Sequence, residues 1–232
     1  MGGWRDMSAE ALEDQYSPSR WSPRLDRDTI IDAHLAVTAA GTERARASAQ
    51  TSLHVPYGKG DGEKLDIYFP TDHSGTFPVL VYIHGGYWQC LSKDESGFAA
   101  PPLVSQGVAV VAVGYDTAPR GHMDTMVLQV RRSLAFLVEQ YPEIREVAQR
   151  NSPMRHVAPA VPAACEVLVV VAQHDSPEFR RQSQEYSQAL RAAGWSVSLL
   201  DLAGVDHFDV IEKLSENSYI LTQVILNMIS RA

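Results

Sequence analysis

Cysteine is almost missing from this sequence, with Cys90 and Cys165 the only two in 232 residues. Two thiols make no disulfide framework and demand no oxidising compartment, so both are expected reduced and the chain cytosolic, with the nucleus also open. No apolar run approaches the ~18 residues that a membrane span requires. The first residues, Met1-Gly2-Gly3-Trp4-Arg5-Asp6, hold no apolar core of a secretory leader, and Asp6 stands where a myristoylation motif wants Ser or Thr. Positive charge is in deficit: 20 Lys and Arg against 28 Asp and Glu leave a net −8. That balance argues against a nucleic acid or an anionic membrane as partner. His84, His122, His156 and His174 are scattered, and no His-x-x-x-His or Cys-x-x-Cys spacing occurs. Neither a metal nor a cofactor is expected.

What is present fits one α/β domain over residues 1–232, with 45% hydrophobic and 21% charged residues and no internal repeat or linker. Residues 1–26 form an arm that mixes Tyr16, Trp4 and Trp21 with polar residues. Pro18 and Pro23 interrupt any helix there, and the aromatics suit an arm packed on the domain. A helix is expected over 27–48. Leu53, Val55 and Tyr57, then Leu65, Ile67 and Phe69, alternate with polar neighbours around a glycine-rich loop, which predicts a β-hairpin with one wet face.

Three apolar runs predict fully buried parallel strands: Val79 to Ile83, Val108 to Val113 and Val167 to Val171. A short helix is expected from Asp94 until Pro101-Pro102 disturbs it. Longer helices are expected over 123–141, with Met126, Val130, Leu134 and Leu137 on the core face, over 178–193 and over 210–229, with a strand at 197–200. An antiparallel entry followed by parallel strands and helical crossovers gives a mostly parallel sheet with helices on both faces.

The chemistry gathers at strand ends. The first buried strand runs into His84-Gly85-Gly86-Tyr87-Trp88, where two glycines let the backbone turn hard and offer N–H groups to a ligand. A strand ending in His-Gly-Gly is how lipases and esterases build an oxyanion hole. Asp175 lies just past the end of the 167–171 strand, and His207 follows the next strand, an order that suits the acid and base of serine-type acyl transfer. Asp206 and Asp209 are weaker rivals for the acid, because each adjoins the histidine in sequence. Tyr87 and Trp88 suit either an aromatic pocket or core packing.

The nucleophile is what the pattern lacks. No serine stands in Gly-x-Ser-x-Gly, and residues 142–165, where that elbow belongs, contain no glycine and no strand-like run. Ser152 precedes Pro153 in a polar segment, and 24 residues are fewer than the ~30 that a strand–elbow–helix–strand unit needs.

His84 to Trp88, Tyr16 to Trp21, Tyr115 to Pro119, Gln173-His174-Asp175 and Asp206 to Asp209 together resemble the kynurenine formamidase (arylformamidase) family of α/β-hydrolases, which carries an HGGxW oxyanion motif. The resemblance covers roughly 1–144 and 146–232. It implies hydrolysis of N-formyl-L-kynurenine to L-kynurenine and formate in tryptophan degradation, hence a small aromatic formamide as partner, with a homodimer open. Asp175 and His207 match the family's acid and base, and no residue matches its nucleophile.

The chain therefore resembles an internally deleted form with a join near 144–146 that lacks the central strand or strands around the elbow. With strands ~4.8 Å apart, two missing strands leave a gap of about 10 Å to be closed or left as open edges. Three readings follow. The family activity would rest on Cys90 or Ser92 as substitute nucleophile. An inactive, poorly folded variant needs no substitute. A non-catalytic binding form would pair with the full-length enzyme. A generic carboxylesterase-like hydrolase is the alternative to the family itself.

Overall fold

In the computed structural model the chain is described over residues 4–72, 75–141 and 166–231. The described residues cluster into two units, 4–35 with 166–213 and 36–141 with 214–231. The join near 144–146, Ser152 and Cys165 lie outside the described residues.

The second unit is built on a four-stranded sheet of β1 (Gln50–Pro56), β2 (Lys64–Phe69), β3 (Val79–Ile83) and β4 (Ala109–Val113), in the order β1-β2-β4-β3. The β1–β2 and β2–β4 pairs are antiparallel, and β3 runs parallel to β4 from Val79↔Ala109 to Ile83↔Val113. All of β4 is fully buried. Because successive side chains on a strand point to opposite faces, Ala109, Val111 and Val113 join Leu65, Ile67 and Phe77 under Leu137 of α4 (Met123–Gln140). Val110 and Ala112 join Tyr68 on the other face, with Ala45 of α2 (Ile30–Ser48), Leu103 of α3 (Ala100–Val104) and Ile225 and Ile229 of α7 (Ile220–Arg231). Each valine so enclosed contributes about 1.5–3 kcal/mol.

Several sequence expectations are corrected here. The hairpin has no wet face on β2, where Leu65, Asp66, Ile67 and Tyr68 are all fully buried, since helices cover both sides of the strand. The Val79 to Ile83 strand exists but is only partly buried, with Ile83 44% exposed. It ends the sheet, and no described strand pairs with its outer edge. Pro101 and Pro102 begin α3 rather than breaking a helix. In a first turn their missing N–H costs nothing and their fixed φ already suits the helix. On α4 the buried stripe is Met126, Gln129, Ser133 and Leu137, while Val130 and Leu134 are half-buried. Gln129 earns its place by exchanging two hydrogen bonds with Asp116, at 2.9 Å from the Asp116 N–H and 2.6 Å to its carboxylate. The expected helix over 210–229 is broken into α6 (Asp209–Glu212), a 3-10 turn at Lys213–Ser215 and α7, because Ser215, Asn217 and Ser218 compete for the backbone bonds that would continue it.

Asp66 is the polar group that this sheet most needs to satisfy. It is fully buried, accepts the His54 N–H at 2.7 Å and pairs with Lys93 at 3.0 Å and Arg46 at 3.3 Å. Among the described residues, His54, Asp66 and Asp94 present ligand atoms within 4.8 Å of one another. A cation is already built into this group. The Lys93 ammonium lies 2.8 Å from His54 Nδ1 and 2.7 Å from Asp94, and sequence spacing had no way to show that gathering.

The first unit holds β5 (Glu166–Ala172) and β6 (Ser196–Leu202), paired parallel and in register from Glu166↔Ser196 to Ala172↔Leu202. They are joined through α5 (Pro177–Ala192), which opens with a Ser176 cap and packs on both strands. The arm is not irregular throughout. It forms α1 (Ala9–Tyr16), capped by Ser8 and packed on α5, then a 3-10 turn at Pro18–Arg20. Among the described residues no helix is long and apolar enough to cross a membrane.

Replacing Lys93 by Met should cost about 3 kcal/mol, the low end for breaking a buried pair because Arg46 and the His54 N–H remain. Chemical denaturation of the two proteins measures it.

Candidate active site

The oxyanion motif lies in the second unit, at the end of β3. Gly86 has φ 95°, and Tyr87 and Trp88 follow at 53° and 62°, so three successive residues hold a left-handed conformation that side chains resist. Glycine is compulsory at 86 for a second reason: a Cβ there would lie 2.1 Å from the Cys90 carbonyl oxygen. The turn closes through the Gly86 carbonyl, which accepts the Gln89 and Cys90 N–H groups at 2.9 and 3.1 Å.

His84 is buried beneath this turn, its ring stacked on Tyr115 at 4.2 Å, while its own carbonyl accepts the Tyr115 hydroxyl at 2.8 Å. Its Nδ1 lies 3.0 Å from the Gly85 carbonyl oxygen, so Nδ1 carries the proton and donates. In a trans peptide the carbonyl and the following N–H point oppositely. Holding the Gly85 carbonyl therefore aims the Gly86 N–H away from the imidazole, and that N–H meets no protein acceptor among the described residues. Burial pushes the His84 imidazole below its ordinary pKa, which keeps it neutral under the turn. Tyr87 and Trp88 are 52% and 38% exposed, so the core-packing alternative for them fails.

Cys90 and Ser92 sit on the same loop with their side chains engaged. The Cys90 thiol donates to the Gly86 carbonyl at 3.2 Å. The Ser92 hydroxyl caps a 3-10 turn, accepting from the Asp94 N–H at 3.0 Å and donating to Glu95 at 2.8 Å.

Asp175 and His207 lie in the first unit, where the sheet brings them together. His207 Nδ1 is 2.8 Å from Asp175 Oδ1, and Asp175 Oδ2 accepts the Ala172 N–H at 2.9 Å. Asp175 is 7% exposed. A carboxylate oxygen accepts, so the His207 proton sits on Nδ1 and the Nε2 lone pair is left without a protein partner among the described residues. Phe179 and Phe208 flank the ring edge-on at 5.2 and 5.8 Å. The two loops are stitched together: Gln173 N–H donates to the Leu202 carbonyl, His174 N–H to the Val205 carbonyl, and the Gly204 N–H reaches the Gln173 side chain at 2.7 Å.

Asp206 and Asp209, the rival acids, face elsewhere. Asp206 accepts the Phe208 and Asp209 N–H groups at 3.0 and 2.8 Å and pairs with Arg24 at 2.8 Å. Burial alone would raise its carboxyl pKa, but the hydrogen bonds from Arg24 and Ser22 outweigh that and hold it low. Arg24 and His34 also converge on Glu212, each at 2.9 Å. No motif marks Arg24 in the sequence, because its partners stand more than 180 positions away.

A sheet ordered β1-β2-β4-β3 with an oxyanion turn after β3, an acid after β5 and a histidine after β6 is the organisation of an α/β-hydrolase. The fold agrees with solved esterases. That of Pyrobaculum calidifontis matches with a TM-score of 0.63 at 15% identity, over 90% of this chain and 94% of its own. Esterase B of Lactobacillus rhamnosis matches with a TM-score of 0.60 at 15% identity, over 88% and 95%. A family model described as BD-FAE matches residues 65–145.

Sequence relatives narrow the class. The Danio rerio protein named kynurenine formamidase is 43% identical over 293 aligned positions that cover 100% of both chains. The Salmo salar protein of that name is 42% identical, again over 100% of both. The chain belongs to the kynurenine formamidase family. Since 232 residues are spread over 293 aligned positions, 61 positions of the Danio rerio alignment have no residue of this chain opposite them.

Because below the ordinary value of 6.5 the unfolded imidazole binds a proton that the buried one refuses, stability from His84 is full above 6.5 and is lost as pH falls from there toward its lowered folded value. Wild type should lose more stability than His84→Gln across that range, read from thermal melts at matched pH.

Proposed function

We propose that this chain keeps the two half-sites of a formamide hydrolase directed at N-formyl-L-kynurenine and has lost the nucleophile that would use them. The observation that carries this is the pairing of an intact Asp175–His207 hydrogen bond with a sequence that holds no Gly-x-Ser-x-Gly. In the complete reaction a serine hydroxyl attacks the formyl carbon and gives its proton to the histidine Nε2. The Asp175 carboxylate steadies the imidazolium, and N–H donors such as that of Gly86 take the developing oxyanion. The histidine then returns the proton to the departing aniline nitrogen, and water releases formate from the acyl-enzyme. Each group that this chain supplies is preset: the base by its tautomer, the oxyanion donor by His84.

The attack itself has no agent. Ser92 is consumed as a cap, and the Cys90 thiol is turned back on its own loop. The 61 unmatched alignment positions support loss of the elbow segment by internal deletion near 144–146. A cytosolic place is supported by a sequence with only two cysteines and no disulfide framework. The outer edge of β3, with which no described strand pairs, favours, as a second reading, a binding form that pairs with a full-length chain.

Purified chain supplied with N-formyl-L-kynurenine should release kynurenine no faster than buffer, and a fluorophosphonate probe should leave it unlabelled. Steady kynurenine release that His207→Ala abolishes would overturn the loss of function and point back to Cys90 or Ser92.

A further inference from the structure

The N-terminal arm bonds to both loops that carry the acid and the base. On the acid side, the Gln15 carbonyl accepts the Ser176 hydroxyl at 2.6 Å, and the Gln15 side chain accepts the Glu178 N–H at 3.2 Å. The Tyr16 hydroxyl donates to Glu178 at 2.8 Å. Ser176 is fully buried and follows Asp175 directly. On the base side, the Ser22 hydroxyl donates to Asp206 at 2.5 Å, and Arg24 grips the same carboxylate through Nε at 2.8 Å and Nη2 at 3.2 Å. The Arg24 fork continues to Glu212 at 2.9 and 3.3 Å. Asp206 is 1% exposed and precedes His207 directly, and its other bonds hold the N–H groups of Phe208 and Asp209. The backbone on both sides of His207 is thus pinned through one carboxylate.

We propose that the arm is a positioning clamp for the acid–base pair, with Arg24 as its main residue. The pair's hydrogen bond then depends on the arm as well as on the β5–β6 ladder. The charge arrangement supports this. Asp206, Asp209 and Glu212 form a buried group of three carboxylates faced by Arg24, by His34 on Glu212 and by Lys213 on Asp209 at 3.3 Å. Among the described residues, Arg24 is the one of these side chains within 4.0 Å of all three carboxylates. Without it the carboxylates repel one another, and the segment bearing His207 loses its anchor. Lysine is a poor substitute, because a point charge cannot reproduce the planar fork that spans two carboxylates. The proposal rests on reading Asp175 and His207 as acid and base, and it extends that reading to residues outside the strand ends.

The test is proton NMR of the whole chain with labelled histidine, following the Nδ1–H of His207, assigned by its loss in His207→Gln. In wild type this proton should give a downfield resonance protected from water. Arg24→Met should lose it, Arg24→Lys should keep it with faster exchange, and Lys93→Met, which weakens the other unit, should leave it in place. If Arg24→Met fails to fold, Ser22→Ala and Tyr16→Phe remove single neutral bonds and should each speed the exchange. A folded Arg24→Met protein whose resonance is unchanged overturns the clamp while the pair stands, as do Ser22→Ala and Tyr16→Phe proteins with unchanged exchange. No protected His207 resonance in wild type overturns the pair, and the clamp with it.

Discussion

The ladder between β5 and β6 is the constraint on which the Asp175–His207 pair depends. Seven residue pairs in strict parallel register, from Glu166↔Ser196 to Ala172↔Leu202, end both strands at one level. Two loops that leave a parallel pair at one level must start side by side. Asp175 and His207, 32 positions apart in sequence, are thereby brought within 2.8 Å. Everything else there refines that placement. Arg180 ties the Ala172 carbonyl to Asp201 across the ladder end, Gln173 and His174 bond to the loop after β6, and the arm closes over both.

The oxyanion half follows a different logic. Its conformation is strained, with three left-handed residues in succession, and strain persists only where surrounding contacts leave no other choice. Those contacts are the stacked His84–Tyr115 pair, the His84 bond to the Gly85 carbonyl and the tight approach of Cys90 to Gly86. None of them involves a catalytic serine. The turn is therefore folded by β3, β4 and its own loop.

Legibility in the sequence tracked how local the determining physics is. The β5 strand was readable to within a residue at each end, because a run of consecutive apolar residues between Glu166 and Gln173 leaves little else, although only Val171 and Ala172 of it are fully buried. The His84 to Trp88 turn and the order of acid before base were readable because motif and chain order carry them. Burial was the weak point. Val79 to Ile83 has the composition of a fully buried strand yet is only partly buried, and no described strand pairs with its outer edge, since apolar content does not report what covers a strand. Polar core residues were missed for the opposite reason. Gln129, Asp66 and Lys93 are buried because partners far along the chain satisfy them, and no local pattern announces such a partner. Arg24 belongs to the same group.

The proposed loss of the elbow need not erase what surrounds it. In a hydrolase of this kind the nucleophile, the oxyanion donors and the acid–base pair meet at one carbonyl, which invites the view that they fold as one piece. Here the pair is held by one ladder, two loops and an arm within residues 4–35 and 166–213. The oxyanion turn is held by a separate sheet and a buried imidazole within residues 36–141. The bonds named for each lie within its own unit. Catalysis is the property that needs a third element, so catalysis is more fragile than either half-site. An intact oxyanion turn and an intact Asp–His pair are accordingly evidence of descent from an acyl-transfer enzyme. Turnover requires a nucleophile in addition, and the sequence holds no Gly-x-Ser-x-Gly to present one.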